Sequence, residues 1–187
     1  MKDNMQLSLS QYLKIFRSRN ISILLFLGFS SGLPLVLTSS TLQAWMAVDG
    51  VDIKAIGIFA LVGLPYAMKF LWSPLMDRYV PPLLGRRRGW LIITQILIMI
   101  GIAVLSLNSP KESLWLIGVI ALMIAFASAS QDIVADAYRT DILKQEERGL
   151  GAAVFVTGYR IAMLIGGAVA LILSDRIGWQ KTYLLMA

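Results

Sequence analysis

The sequence predicts an all-α membrane protein with five complete transmembrane helices and the start of a sixth. The chain has 187 residues and a mean hydropathy of +0.72, and 57% of its residues are hydrophobic while only 15% are charged. An ordinary soluble domain is about 45–50% apolar and about 25% charged. The composition therefore excludes a cytosolic enzyme, a secreted disulfide scaffold and a free nucleic-acid binder.

Five apolar runs are long enough to cross a bilayer, because a helix needs about 20 apolar residues to cross about 30 Å of hydrocarbon. These runs are Ile21–Met46, Ala55–Met76, Trp90–Leu107, Ser113–Ala137 and Gly151–Leu173. A sixth run begins near Trp179 and reaches only to Ala187, a rise of about 13.5 Å in a helix. We therefore expect a fragment of a longer protein, in which residues 21–187 form an N-terminal transmembrane bundle truncated in its sixth helix.

The basic residues between the runs predict how the chain is oriented. Eleven Lys and Arg residues lie in the N-terminal arm and in the connections that follow the second and fourth runs. Four lie on the other side of the membrane, namely Lys54, Lys111, Arg176 and Lys181. Because the side rich in Lys and Arg is normally cytoplasmic, we expect a cytoplasmic N-terminus.

Residues 1–20 are predicted to form a cytoplasmic arm. Apolar side chains recur at helical spacing within it, at Leu9, Tyr12, Leu13 and Phe16. This pattern predicts a short interfacial helix on the cytoplasmic leaflet.

The sequence contains neither Cys nor His, which limits the chemistry available to it. Disulfides, thiolate sites and the usual zinc and haem ligands are excluded, and no nucleophile elbow, dinucleotide fingerprint or phosphate-binding loop is present. We expect no catalytic residues, no cofactor, no metal and no nucleic-acid partner. A proton-linked step near neutral pH has to use a carboxylate or a lysine, since the imidazole switch is missing.

The first run is unusually polar for a membrane helix. Gly28 and Gly32 have G-x-x-x-G spacing, and Pro34 removes one backbone hydrogen bond and can kink the helix. The polar residues either serve helix packing alone or line a cavity for a polar solute. They are Ser30, Ser31, Thr38, Ser39, Ser40, Thr41 and Gln43.

The second run carries Lys69, eight residues before Asp77 and thus about 12 Å from the cytoplasmic end of the helix. An ammonium this deep costs a few kcal/mol unless it meets water or a partner. The alternative is that its stem extends back to the interface. Pro65 and Pro74 bracket the region and allow a bend.

The fourth run ends with three charged residues. Asp132 and Asp136 share one helix face, and Arg139 follows Asp136 by three residues. Asp132 lies about 13.5 Å from Asp141 along the helix, at nearly the depth of Lys69. A carboxylate there is either paired or protonated, so Asp132 is a proton carrier, the partner of Lys69, or one member of a static ion pair.

The fifth run carries Tyr159 and Arg160. Arg160 lies twelve residues beyond Arg148, about 18 Å of helical rise, which places it near the bilayer midplane. An arginine cannot lose its charge, so we expect its guanidinium to face water, an acid or an anionic ligand.

The connection between the second and third runs resembles a motif of major facilitator superfamily transporters. Asp77 and Arg78 close the second run, and Arg86 and Arg87 open the third, as in the D-R-x-G-R-R loop of that superfamily. The loop here is longer, and Ser73 stands where the superfamily usually has glycine. The resemblance implies the N-terminal half of a facilitator helical bundle.

Longer stretches resemble the AmpG muropeptide permeases, from about Gln11 to the last residue. The stretches that carry this resemblance are Gly28–Pro34, Leu42–Met46, Lys69–Arg78 and Ser130–Val134. It implies proton-driven import of anhydromuropeptides from periplasm to cytoplasm across the bacterial inner membrane, for peptidoglycan recycling and β-lactamase induction. The implied partners are an anionic sugar-peptide, protons, the bilayer and the C-terminal half of the transporter. The alternatives are a transporter of another anionic solute, such as an acetyl-CoA-type substrate, or a non-transporting scaffold subunit.

Roles follow from these positions as hypotheses. Asp132 is the proton-coupling residue. Substrate binding is assigned to Gln43, Lys69, Gln131, Tyr159 and Arg160. Gating is assigned to Asp77, Arg78, Arg86, Arg87, Asp136 and Arg139.

Overall fold

The computed structural model describes residues 19–82 and 85–187, and within those residues the regular structure is entirely helical. Most of the arm at residues 1–20, with its predicted interfacial helix, lies outside the described residues. Five helical stretches are long and apolar enough to cross a membrane. They are span one (Arg19–Val48), span two (Ile53–Leu71), span three (Arg86–Ser106), span four (Leu114–Ile142) and span five (Gln145–Ile177). A short helix, Trp179–Met186, follows. The predicted all-α fold with five spans is confirmed.

Span one consists of two helices, Arg19–Thr38 and Ser40–Val48. The helix continues through Pro34, and the interruption lies at Ser39, whose φ of −109° and ψ of −102° are not helical. Hydroxyl groups bond the carbonyls beside the break: Ser39 Oγ donates to Leu35 O at 2.6 Å, and Tyr183 OH donates to Leu37 O at 2.8 Å. The helix Trp179–Met186 is thereby fastened to the break in span one.

Span two is an irregular helical segment, in the region where Pro65 and Pro74 were expected to allow a bend. The segment alternates between α-helix and 3₁₀-helix, because Pro65 and Pro74 lack the N–H groups that a continuous ladder needs. Ser73 Oγ donates to Phe70 O at 3.3 Å, the carbonyl that an N–H at Pro74 would have bonded. The α-helices are Ile53–Ile58, Leu64–Met68 and Ser73–Arg78, and the 3₁₀-helices are Phe59–Gly63 and Lys69–Leu71.

Span five changes its helix type in the middle. A 3₁₀ turn at Gln145–Glu147 leads into the helix Arg148–Leu164, which is followed by a π-helical turn and the helix Ala170–Ile177. The Gly166 carbonyl in the π turn accepts a hydrogen bond of 2.7 Å from Thr41 Oγ1, just beyond the break in span one. The irregular parts of spans one and five therefore face each other and are hydrogen-bonded.

Glycines bring spans one and five into backbone contact. A Cβ atom at Gly28 would collide with the backbone of Phe155, and one at Gly158 would collide with the backbone of Leu25. Gly32 is equally constrained by the backbone of Tyr159. The packing function of the G-x-x-x-G pair is therefore confirmed.

The remaining spans pack around span four and the outer half of span one. Span two is tied to span four by a 3.0 Å hydrogen bond from Trp72 Nε1 to Ser130 Oγ. Span three lies along span four and also contacts the helix Trp179–Met186, whose first residue stacks on Trp45 with ring centroids 5.9 Å apart. The main apolar core includes Leu37, Leu42, Met46, Ile98, Ile102, Ile117 and Ile124.

We predict that Gly158→Ala destabilises the bundle by about 1–3 kcal/mol, because the added methyl group forces two backbones apart. The measurement is thermal unfolding of the detergent-solubilised chain followed by tryptophan fluorescence. Gly57→Ala is the matched control, since a Cβ at Gly57 meets no atom within 4 Å. Equal melting temperatures for the two variants would contradict the close packing of spans one and five.

Candidate functional site

The centre of the candidate site is an ion pair between spans two and four. Lys69 Nζ lies 4.0 Å from Asp132 Oδ2, and the two side chains are 35% and 15% exposed. Lys69 begins the 3₁₀-helix Lys69–Leu71, so the irregularity of span two falls at the site. The pairing of Asp132 with Lys69, one of the alternatives that the sequence left open, is present in the structure, whereas the roles of both residues in transport stay predictions.

The second oxygen of Asp132 faces a different environment. Asp132 Oδ1 is buried and accepts no hydrogen bond from the part of the chain that the structure describes. Three hydroxyls in that part are likewise buried and unbonded, namely those of Ser31, Tyr66 and Ser128. We call these three side chains the hydroxyl cluster. Sequence reasoning included Ser31 among the polar residues of span one and missed Tyr66 and Ser128, although Ser128 precedes Asp132 by one turn and Tyr66 precedes Lys69 by three residues.

Span five contributes a tyrosine and a second cation. The Tyr159 side chain lies within electrostatic range of both Asp132 and Arg160. Arg160 is exposed, and its Nη1 contacts Met163 Sδ at 4.0 Å. None of the ion pairs between described residues includes Arg160.

In the described part of the chain, neither of the two glutamines assigned to substrate binding is hydrogen-bonded to Lys69, Asp132 or the hydroxyl cluster. Gln131 is only 1% exposed; its Nε2 donates to Ser30 Oγ at 3.3 Å, and its Oε1 accepts from Thr94 Oγ1 at 3.5 Å. This amide therefore links spans one, three and four. Gln43 is half-buried in the helix Ser40–Val48 of span one. Within residues 19–82 and 85–187, no hydrogen bond joins its side chain to Lys69 or Asp132. Their substrate contacts stay predictions.

Another charged cluster lies where span two ends and span three begins. Arg87 bonds Asp77 Oδ1 at 2.8 Å and Asp141 Oδ2 at 3.1 Å, and thus joins spans three and four to the helix that follows span two. The salt bridges between described residues do not include Arg78 or Arg86. Sequence reasoning missed Asp141 as a partner, because the contact spans 54 residues.

The remaining predicted gate residues, Asp136 and Arg139, pair within span four at 3.2 Å. The Arg139 guanidinium also lies over the Phe155 ring, 5.0 Å from its centroid. This contact ties the end of span four to span five.

The family model of the Major Facilitator Superfamily matches residues 8–187. The chain belongs to this superfamily. It is 59% identical over 179 residues to the anhydromuropeptide permease of Escherichia coli K12, a match that covers 95% of the chain and 36% of that protein. It is 38% identical over 179 residues to a Rickettsia felis protein that bears the name AmpG 4, covering 93% of the chain and 43% of the relative.

A protein of Haemophilus influenzae without an assigned function is 45% identical over 167 residues, covering 89% of the chain and 39% of that protein. The chain thus spans less than half the length of these relatives. The resemblance that the sequence motifs indicated is confirmed at the level of the superfamily and of the AmpG-like relatives. Superfamily membership and five apolar spans together make this a multi-pass membrane protein.

We predict that Arg87→Gln lowers the stability of this facilitator bundle by about 0.5–1 kcal/mol, because it removes two partly exposed ion pairs. Arg86→Gln removes the same charge from the neighbouring position and serves as the control. The stabilities of both variants are measured by thermal unfolding of the solubilised chain at low and at high salt. The difference between the variants should shrink at high salt, because salt screens exposed ion pairs; a difference that is absent at low salt would contradict the bridging role of Arg87.

Proposed function

We propose that the chain is part of a proton-coupled importer of anhydromuropeptides in the bacterial inner membrane, with its N-terminus in the cytoplasm. The observation that carries this proposal is the 59% identity to the Escherichia coli anhydromuropeptide permease, which extends over 95% of the chain. The excess of Lys and Arg at one end of the spans supports the orientation. The remainder of such a transporter would supply the opposite wall of the substrate pathway.

The chemistry of the site suits an anionic sugar-peptide. Lys69 is about one-third exposed and Arg160 is exposed, so both can reach a carboxylate of a solute. Charge-assisted hydrogen bonds to carboxylates are about twice as strong as neutral ones. Two cations, one on span two and one on span five, can therefore hold the anionic part of the substrate while Tyr159 offers a hydroxyl to its sugar or peptide part.

The same ion pair can couple substrate binding to proton uptake. If a substrate carboxylate engages Lys69, Asp132 loses the cation that neutralises it. An unpaired carboxylate inside the membrane is too costly to stay charged, so it takes a proton instead. Release of the substrate on the cytoplasmic side would return Lys69 to Asp132 and expel the proton.

The competing functions differ from this one in testable ways. A scaffold subunit is expected to satisfy its ionisable groups internally, yet Arg160 pairs with no acid in the described residues. That observation favours a transporter. A transporter of acetyl-CoA-type anions would use the same cations, so competition between the two kinds of solute separates these alternatives.

We predict that Asp132→Asn abolishes proton-coupled uptake. The experiment uses a chimeric permease in which this chain replaces the stretch of the Escherichia coli anhydromuropeptide permease that it matches. Uptake of labelled anhydromuropeptide into membrane vesicles is measured across pH, with and without a proton-dissipating agent. Asp175→Asn, which removes an exposed carboxylate near the end of span five, is the control and should keep the coupling. Uptake by Asp132→Asn at the original rate with unchanged pH dependence would refute the proton role.

We predict that Lys69→Gln and Arg160→Gln each raise the KM for anhydromuropeptide by about tenfold or more in the chimeric permease, because each removes a hydrogen bond to a charged group. Arg176→Gln, in the last turn of span five, is the control for a generic loss of positive charge. Expression and thermal stability are measured in parallel. A normal KM in a well-folded Arg160→Gln variant would return that residue to a structural role.

A further inference from the structure

The two oxygens of Asp132 have sharply different neighbours. Oδ2 lies 4.0 Å from the Lys69 ammonium, on the part of the site that is open to solvent. Oδ1 points into the protein, where it is buried beside hydroxyls and has no hydrogen bond from the described residues. The negative charge of such a carboxylate can be neutralised either by the cation beside Oδ2 or by a proton on Oδ1.

The hydroxyl cluster draws its members from three spans, and like Oδ1 all three hydroxyls are buried and unbonded among the described residues. Ser31, on span one, faces the Asp132 carboxylate, and Ser128 lies one helical turn before it on span four. Tyr66 enters from span two, with its hydroxyl beside those of Ser128 and Thr38. Ser31 and Ser128 are completely buried. In residues 19–82 and 85–187, these three hydroxyls and Oδ1 are the buried side-chain atoms left without a hydrogen bond.

Hydroxyls suit a carboxyl group that changes its protonation state. Each can donate a hydrogen bond to an ionised carboxylate, and each can accept one from a protonated carboxyl group, after a rotation about one or two bonds. An ammonium in this position can only donate and would favour the ionised state. Leaving four such atoms unbonded in a packed bundle is costly, which is the kind of strain found at functional sites.

We propose that Ser31, Tyr66 and Ser128 form a hydroxyl relay that bonds Asp132 Oδ1 in both protonation states and so lets the proton reside there while Lys69 holds the substrate. The relay residues are positioning residues, since they act through Asp132. The inference rests on the proposed function, because it presupposes that Asp132 carries the proton.

Other charged and titratable groups also face Asp132 and have to be held constant in the tests. Span two contributes Lys69 and Tyr66, span four contributes Asp136, and span five contributes Tyr159, which itself lies near Arg160. Span one faces Asp132 with the neutral Ser31 hydroxyl. Changing Ser31 therefore alters hydrogen bonding to Asp132 without altering any charge.

The first test measures the pH dependence of uptake by the chimeric permease. We expect Ser31→Ala, Ser128→Ala and Tyr66→Phe to move the pH midpoint of uptake upward by about one pH unit. The reason is that losing a hydroxyl destabilises the ionised form of Asp132 more than its protonated form. Ser31→Thr keeps a hydroxyl and should restore the original midpoint. Ser106→Ala is the matched control, because Ser106 is buried but its hydroxyl bonds Ala103 O of its own helix at 2.6 Å.

The second test needs no transport. Infrared difference spectra of the chain in lipid, recorded between acidic and neutral pH, should contain a carboxylic C=O band that disappears in Asp132→Asn. The band should move to higher wavenumber in Ser31→Ala and stay unchanged in Ser106→Ala, because a carboxyl group that loses a hydrogen bond has a stiffer C=O bond.

The outcomes separate the inference from the proposed function. If Asp132→Asn abolishes coupling while all three relay variants keep the original midpoint and the original band position, the relay is refuted and the proton role of Asp132 stands. If Asp132→Asn keeps its pH dependence, the proton role itself fails and the relay fails with it. Shifts in midpoint and band that Ser31→Thr reverses support the relay.

Discussion

The arrangement of this bundle depends on how two opposite charges are neutralised inside an apolar layer. Neither the Lys69 ammonium nor the Asp132 carboxylate is tolerated alone at such depth, so spans two and four have to bring them together. At 4.0 Å with partial exposure, the pair is loose enough for an anionic solute to compete for the cation. A tightly bonded, fully buried pair would stabilise the helix register but would resist that exchange.

Close packing of spans one and five determines what surrounds this pair. Because glycines at positions 28, 32 and 158 let the two backbones touch, the polar face of span one is held against span five and beside span four. Ser31 then faces Asp132, and Tyr159 lies within electrostatic range of the same carboxylate. The small residues thus serve packing and the site together, and the two interpretations of span one considered from the sequence are not exclusive.

The five spans and the similar depths of Lys69 and Asp132 could be predicted from the sequence. The lengths of the apolar runs determine the five spans, and counting residues from the helix ends gave Lys69 and Asp132 similar depths, from which their pairing follows. Tyr66, Ser128 and Asp141 were missed because their partners lie on other helices, and helix rotation is determined by tertiary packing. The break at Ser39 and the π turn were missed for a related reason: hydroxyl groups elsewhere in the bundle bond the carbonyls there, and no local pattern encodes that.

Three spans lose regular α-helical geometry within the part of the chain that the structure describes. Span one breaks at Ser39, next to Thr38, which approaches Tyr66; span two becomes 3₁₀-helical at Lys69; and span five becomes π-helical around Gly166, which Thr41 bonds. In a bilayer such irregularity persists only where the backbone is buried in protein or lines a polar cavity, because lipid offers no hydrogen bonds. The hydroxyls of Thr41 and Tyr183 meet this requirement at Gly166 and Leu37, so two of the interruptions are buried in protein, whereas the third begins at Lys69 and lies at the ion pair itself.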